Sequence, residues 1–186
     1  MTVQDVLARV IGKLERAGVP YMLTGSYASS LHSVPRATRD IDLVVFPNRE
    51  QLLAFVQSLP PSAYHVEADE ALDALLRRSQ FNIIDYATGW KLDLIIPPFT
   101  EFNIEEFERR RTVELDDFAI CVASAEDIVI AKMLWARSGQ SELQIRDAAA
   151  VVSAQGSRFD RAYVQRWVRR LQLEVQWELV SAAAAG

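Results

Sequence analysis

Asp40 and Asp42 stand two residues apart in the run Asp40-Ile41-Asp42-Leu43, and Asp93 sits between two leucines in Leu92-Asp93-Leu94. Both runs read as strands. Side chains alternate along an extended strand, so the paired carboxylates share one face while Ile41 and Leu43 take the other. Two like charges held side by side are costly unless a cation joins them or one takes up a proton. Mg²⁺ suits such a pair, because it prefers hard oxygen ligands and commonly takes one or two carboxylates plus substrate phosphates. The competing reading is that Asp40 caps a turn while Asp42 and Asp93 lie on the wet face of a half-exposed sheet. Three acids embedded in apolar strands favour the site.

A second constellation lies upstream. Gly25-Ser26 follows the apolar run Pro20 to Thr24 and opens a short helix over Tyr27 to Ser33. Backbone N–H groups at a helix start, a serine hydroxyl and the positive end of the helix dipole together favour an anion, and glycine lets a phosphate approach the backbone closely. Arg36 and Arg39 lie in the loop before the acids, where they either contact phosphate or, for Arg39, neutralise Asp40. Lys132 stands inside an otherwise apolar helix, where an unpaired charge is costly; it either reaches a triphosphate or pairs with Glu126 or Asp127. His32, near the glycine-serine helix, has no matching ligand set and reads as structural or rim.

The elements around these residues follow from periodicity and punctuation. Thr2-Val-Gln-Asp5 has the form of a capping box, and Val3, Val6, Leu7, Val10, Ile11 and Leu14 recur at helical spacing up to Gly18. Ile41 to Phe46 is a strand stopped by Pro47, and Glu50 to Ser58 is an amphipathic helix. Glu70 to Arg78 is a helix with Leu72, Leu75 and Leu76 inward. Phe81 to Tyr86 and Trp90 to Ile96 are joined by Ala87-Thr88-Gly89, a hairpin signature that makes them antiparallel neighbours. A short helix around Glu105 to Arg110 precedes a strand pair, Thr112 to Leu115 and Phe118 to Val122, turned by Asp116-Asp117. From Ser124 onward everything reads as helix, beginning with a capping-box pattern at Ser124-Ala-Glu-Asp127; Trp90 and Trp135 read as core. The expected fold class is α/β (α+β), a mixed sheet flanked by helices and followed by a C-terminal helical bundle. The expected division is 1–123 for the catalytic core and 124–186 for the helical region.

Half of the 186 residues are hydrophobic and 24% are charged, as in a globular protein with a substantial core. No apolar run approaches the ~20 residues that span a bilayer, so no membrane role is expected. Charges throughout the first 18 residues argue against a secretory signal. The lone cysteine, Cys121 in the run FAICVA, reads as a small buried residue in a reducing compartment, and the expected location is cytoplasmic. A net charge of −5 gives no global reason to expect nucleic-acid binding. The arginine clusters at 109–111 and at Arg166, Arg169 and Arg170 read as solvated helix faces, with a local nucleic-acid groove as the lesser alternative.

Taken together, Gly25-Ser26, thirteen intervening residues, Asp40-Ile41-Asp42-Leu43 and the later Leu92-Asp93-Leu94 resemble the nucleotidyltransferase superfamily pattern hG[GS]…DhDh…h[DE]h. More narrowly, the stretch LTGSYASSLHSVPRATRDIDLVV is similar to small bacterial nucleotidyltransferases related to abortive-infection toxins of the AbiEii type. The run from Ser124-Ala-Glu-Asp127 through Lys132, and Arg146-Asp147, match the helices those proteins carry. The resemblance implies a nucleotidyltransferase-type sheet, Mg²⁺ or Mn²⁺, and an NTP whose nucleoside monophosphate passes to an acceptor hydroxyl with release of pyrophosphate. It further implies that Asp40, Asp42 and Asp93 are catalytic metal ligands, with Asp93 also helping to deprotonate the hydroxyl. Gly25 and Ser26 would bind the β- and γ-phosphates, with Arg36, Arg39 and Lys132 as further phosphate contacts. RNA, a protein or a small molecule each remains open as acceptor, and a toxin-like role would bring an antitoxin partner. The alternative is a catalytically inactive protein of this fold that acts as a binding, antitoxin or regulatory subunit.

Overall fold

The computed structural model describes residues 2–34, 37–38, 40–115, 118–139 and 141–185. The expectations for Arg36, Arg39 and the Asp116-Asp117 turn lie outside them. The chain forms two compact units, Met1–Leu23 with Thr38–Val122, and Thr24–Ala37 with Ala123–Gly186.

The first unit holds a seven-stranded mixed sheet. In chain order its elements are α1 (Val3–Arg16), β1 (Tyr21–Thr24), β2 (Asp40–Val45), α3 (Arg49–Gln57), β3 (Tyr64–His65), α4 (Ala68–Arg77), β4 (Gln80–Asp85), β5 (Lys91–Ile95), α5 (Glu101–Glu108), β6 (Arg111–Leu115) and β7 (Phe118–Val122); α2 (Gly25–His32) follows β1 directly in the chain. The strand order is β3-β4-β5-β2-β1-β7-β6. β4 and β5 form the expected antiparallel hairpin, and β2 pairs with β5 in parallel. Thr2 and Asp5 close a full capping box on α1, whose buried stripe is Val6, Leu7, Val10, Ile11 and Leu14.

Register turns the alternation along single strands into two-dimensional rows. Ile41 on β2, Leu92 on β5 and Ile83 on β4 lie side by side, and so do Leu43, Leu94 and Phe81. All six are essentially inaccessible to water. Each fully buried side chain of this kind stabilises the fold by about 1.5–3 kcal/mol. Because these rows own one face, Asp40, Asp42, Lys91, Asp93 and Asn82 are forced onto the other.

Two expectations for this unit are corrected. Leu76 is 78% exposed, since α4 turns Ala71 and Ala74 inward and helical geometry carries Leu76 away from them. Cys121 is only half-buried, because Ile120 and Val122 take the inward positions of β7. The helix after Pro98 also begins earlier than expected, capped by the Thr100 hydroxyl.

The second unit contains α2, α6 (Ala125–Arg137), α7 (Ser141–Gln155), a 3-10 turn (Gly156–Arg158), α8 (Arg161–Leu171) and α9 (Glu174–Ala185). Its grouping of α2 with the C-terminal helices differs from one contiguous cut at 123/124. The cause is local: α2 buries Ala28 and Ser29, His32 Nε2 lies 2.8 Å from the Ala123 carbonyl, and Gln155 Nε2 donates to the His32 carbonyl at 2.8 Å. Ser124 caps α6 through the Asp127 N–H, while the buried Asp127 carboxylate accepts from the Ser124 and Tyr163 hydroxyls. Trp135 is 55% exposed rather than core: α6 buries Val129, Lys132, Met133 and Ala136, and its pitch places Trp135 beside that stripe.

Candidate functional site

The acids meet on one face of the sheet because β2 and β5 pair in parallel with Asp42 opposite Asp93 and Asp40 opposite Lys91. Neighbouring strands lie about 4.8 Å apart, so the register alone sets the carboxylates side by side. Exposure falls stepwise across the trio: Asp40 is exposed, Asp42 half-buried, and Asp93 only 8% exposed. The wet-face reading, made for Asp42 and Asp93, thus fails for Asp93, while Asp42 is only half-buried. Thr38, just before the pair, bonds its hydroxyl to the Asp40 backbone at 3.3 Å.

Lys91 is the residue that sequence reasoning missed. Its ammonium donates to Asp93 Oδ2 at 3.1 Å and lies 3.0 Å from Oδ1, although the contact with Oδ1 lacks hydrogen-bond geometry. Its proton is held above the ordinary lysine range, first by the hydrogen bond to Asp93 and then by the charges of Asp93, Asp40 and Asp42, against an opposing push from burial. The available signal was its place two residues before Asp93 in a strand, in a chain with three lysines. Only the β2–β5 register, which sequence does not supply, sets it opposite Asp40.

The donor chemistry suits a hard divalent cation. Asp93 Oδ1 is a buried carboxylate oxygen without a hydrogen bond among the described residues, and its neighbours across the ladder are a second carboxylate and the Asn82 amide. No three His, Cys, Asp or Glu side chains converge into a preformed metal cage among the described residues. Mg²⁺ does not require one, since it is usually held by one or two carboxylates together with substrate phosphates.

The remaining candidates belong to the second unit. Gly25 opens α2 with φ 68°, a left-handed conformation that glycine adopts without strain. The Thr24 side chain supplies no cap to that helix. Lys132 is buried, and its ammonium donates to Asp147 Oδ2 at 3.0 Å and Gln144 Oε1 at 3.1 Å. Its charge is thus answered by Asp147 on α7.

Solved structures resemble this architecture. ANT(2'')-Ia in complex with adenylyl-2''-tobramycin is 18% identical with a TM-score of 0.55, over 99% of this chain and 98% of that one. An antigenic nucleotidyltransferase-like protein from Paracoccidioides brasiliensis is also 18% identical, with a TM-score of 0.54 over 80% of this chain and 74% of that one. The chain has the nucleotidyltransferase fold. The lincosamide antibiotic adenylyltransferase LnuA, solved with lincomycin bound, matches at 18% identity and a TM-score of 0.54, over 83% of this chain and 98% of that one. No family model and no curated protein sequence matches the chain.

Proposed function

We propose that the chain is a nucleotidyltransferase that moves a nucleoside monophosphate from an NTP to an acceptor hydroxyl with release of pyrophosphate. The observation that carries this reading is the register that stacks Asp42 on Asp93 and leaves a buried Asp93 oxygen without a hydrogen bond. Lys91 already supplies one cation to this cluster, and a pure binding scaffold has no physical need to set three carboxylates side by side.

In this reading Asp40, Asp42 and Asp93 hold Mg²⁺ or Mn²⁺, which supplies positive charge against the triphosphate. Gly25 and Ser26, with Arg36 and Arg39, bind phosphate oxygens. Lys132 joins them only by leaving Asp147, so its first role is to hold α6 on α7. The acceptor oxygen forms its bond to the α-phosphorus, the bond from that phosphorus to the β-phosphate oxygen breaks, and the hydroxyl proton passes to Asp93. Catalysis then rests on positioning and charge neutralisation. The neighbouring adenylyltransferases act on antibiotics, and a net charge of −5 fits a small cationic acceptor better than a polyanion. The AbiEii-type role, with its antitoxin partner, has the quoted sequence motifs as its support.

Thermal unfolding with each NTP, with and without Mg²⁺ or Mn²⁺, tests the reading. An NTP at a hundredfold excess over its Kd stabilises by about 2.7 kcal/mol, and the shift should require the metal. Transfer from labelled NTP to a panel of aminoglycosides, proteins and RNA then identifies the acceptor, and Asp42→Ala should abolish it. A metal-independent response, or labelling that survives in Asp42→Ala, would sink the proposal.

A further inference from the structure

Among the described residues of the acidic face, one cation sits in the middle of three carboxylates. Lys91 and Asp93 lie two residues apart on β5, so they share a face, and the ladder sets Asp40 opposite Lys91 and Asp42 opposite Asp93. The Lys91 side chain is 41% exposed on a flexible four-carbon stem, whereas the Asp93 side chain is 12% exposed and fixed within a central strand. The ammonium stands within 3.1 Å of both Asp93 oxygens, where a metal bound to that carboxylate would also have to stand. Two cations do not share one carboxylate at such distances without strong repulsion.

We propose that Lys91 is the resident counter-cation of this site: it holds Asp93 while no divalent ion is bound and must leave when one enters. This rests on the nucleotidyl-transfer reading above. Without the ammonium, Asp93 would be a buried carboxylate with no cation beside it. With it, a bare metal ion must first displace a positive charge from Asp93. A metal accompanied by a triphosphate brings an anion that takes the ammonium over. Lys91 is thus a positioning residue that couples metal entry to nucleotide arrival, and its departure releases Asp93 to accept the hydroxyl proton.

The test is Mn²⁺ binding, followed by electron paramagnetic resonance, with Mn²⁺ alone and with Mn²⁺ plus inorganic tripolyphosphate. Wild type is compared with Lys91→Met, Lys91→Gln, Lys91→Arg and the remote charge control Arg77→Gln, each checked for folding by circular dichroism. Removing the ammonium should tighten binding of Mn²⁺ alone at least about tenfold, because a unit charge beside the ion disappears. It should also remove most of the gain that tripolyphosphate gives wild type. Lys91→Arg and Arg77→Gln should stay within about threefold of wild type, given the weak effect of remote screened charges and the retained charge of arginine. If wild type binds Mn²⁺ with tripolyphosphate while Lys91→Met and Lys91→Gln match it under both conditions, the Lys91 proposal alone is overturned. If no protein binds Mn²⁺ under either condition, the nucleotidyl-transfer reading fails and takes the proposal with it.

Discussion

Replacing Asp93 by asparagine keeps the size of the side chain and removes its charge, and the same change at Asp85 makes an instructive contrast. Asp85 ends β4 at 2% exposure, pairs with Arg9 of α1, and accepts from the Thr88 N–H at 3.0 Å and the Thr88 hydroxyl at 2.9 Å. Every contact it makes is structural, so Asp85→Asn should cost about 2–3 kcal/mol in urea unfolding, less than a fully buried pair because Arg9 is partly exposed. Transfer activity below the unfolding transition should be unchanged. Asp93→Asn should do the reverse, lowering transfer at least about a hundredfold, the scale of losing one positioned proton acceptor, while changing stability by about 1 kcal/mol or less. Comparable activity losses in both variants would remove the distinction. The sequence singled out Asp93 through its flanking leucines and the family pattern, and gave no structural role to Asp85. What separates them is the partner across the ladder or the helix: Arg9 lies 76 positions before Asp85, and Asp42 lies 51 before Asp93.

At the scale of elements, everything set by short-range periodicity was legible: the α1 stripe, the β4–β5 hairpin, and the shared face of Asp40 and Asp42. What escaped was non-local. The parallel pairing of β2 with β5 brings Lys91 into the site, and no turn residue announces it. The orientation of α4 and α6 escaped for the same reason, because Leu76 and Trp135 are apolar residues that the packing leaves outside. β1 carries a further consequence of packing. Tyr21 is buried, its hydroxyl donates to Glu15 Oε1 at 3.1 Å, and burial first, then the Glu15 charge, pushes its pKa well above the ordinary value. The folded protein therefore keeps a proton that the unfolded chain releases near pH 10. Stability from this group is complete below about pH 10 and is lost as pH rises further towards the folded pKa. Tyr21→Phe should cost about 1 kcal/mol at neutral pH for the lost hydrogen bond and should flatten the decline in the urea midpoint between pH 9 and 11. An unaltered alkaline slope in the variant would show that other groups, Lys91 among them, dominate it.

The molecule as a whole is acidic, and the positions of its arginines make that more consequential. Arg166 lies over the rings of Tyr163 and Trp167 at 5.1 and 5.3 Å, and Arg170 over Trp167 at 5.0 Å, so α8 lays its cations along its own aromatic residues. In the other unit Arg110 lies 4.0 Å from the Phe107 ring and donates to the Phe107 carbonyl. Guanidinium groups held this way are fixed in place by cation–π contacts worth about 0.5–1 kcal/mol each at exposed sites. A protein that binds RNA through its backbone must instead offer several cations to successive phosphates, and it announces this by a steep loss of affinity with salt. With a net charge of −5, and with Arg110, Arg166 and Arg170 held against their own rings, this chain should bind generic RNA more weakly than the ~10⁻⁴ M limit of non-specific binders at physiological salt. Electrophoretic mobility shift at two salt concentrations measures both quantities. Tight binding with a steep salt slope would return RNA to the front as acceptor; its absence, alongside labelling of a small hydroxylated amine, would place the chemistry with small molecules.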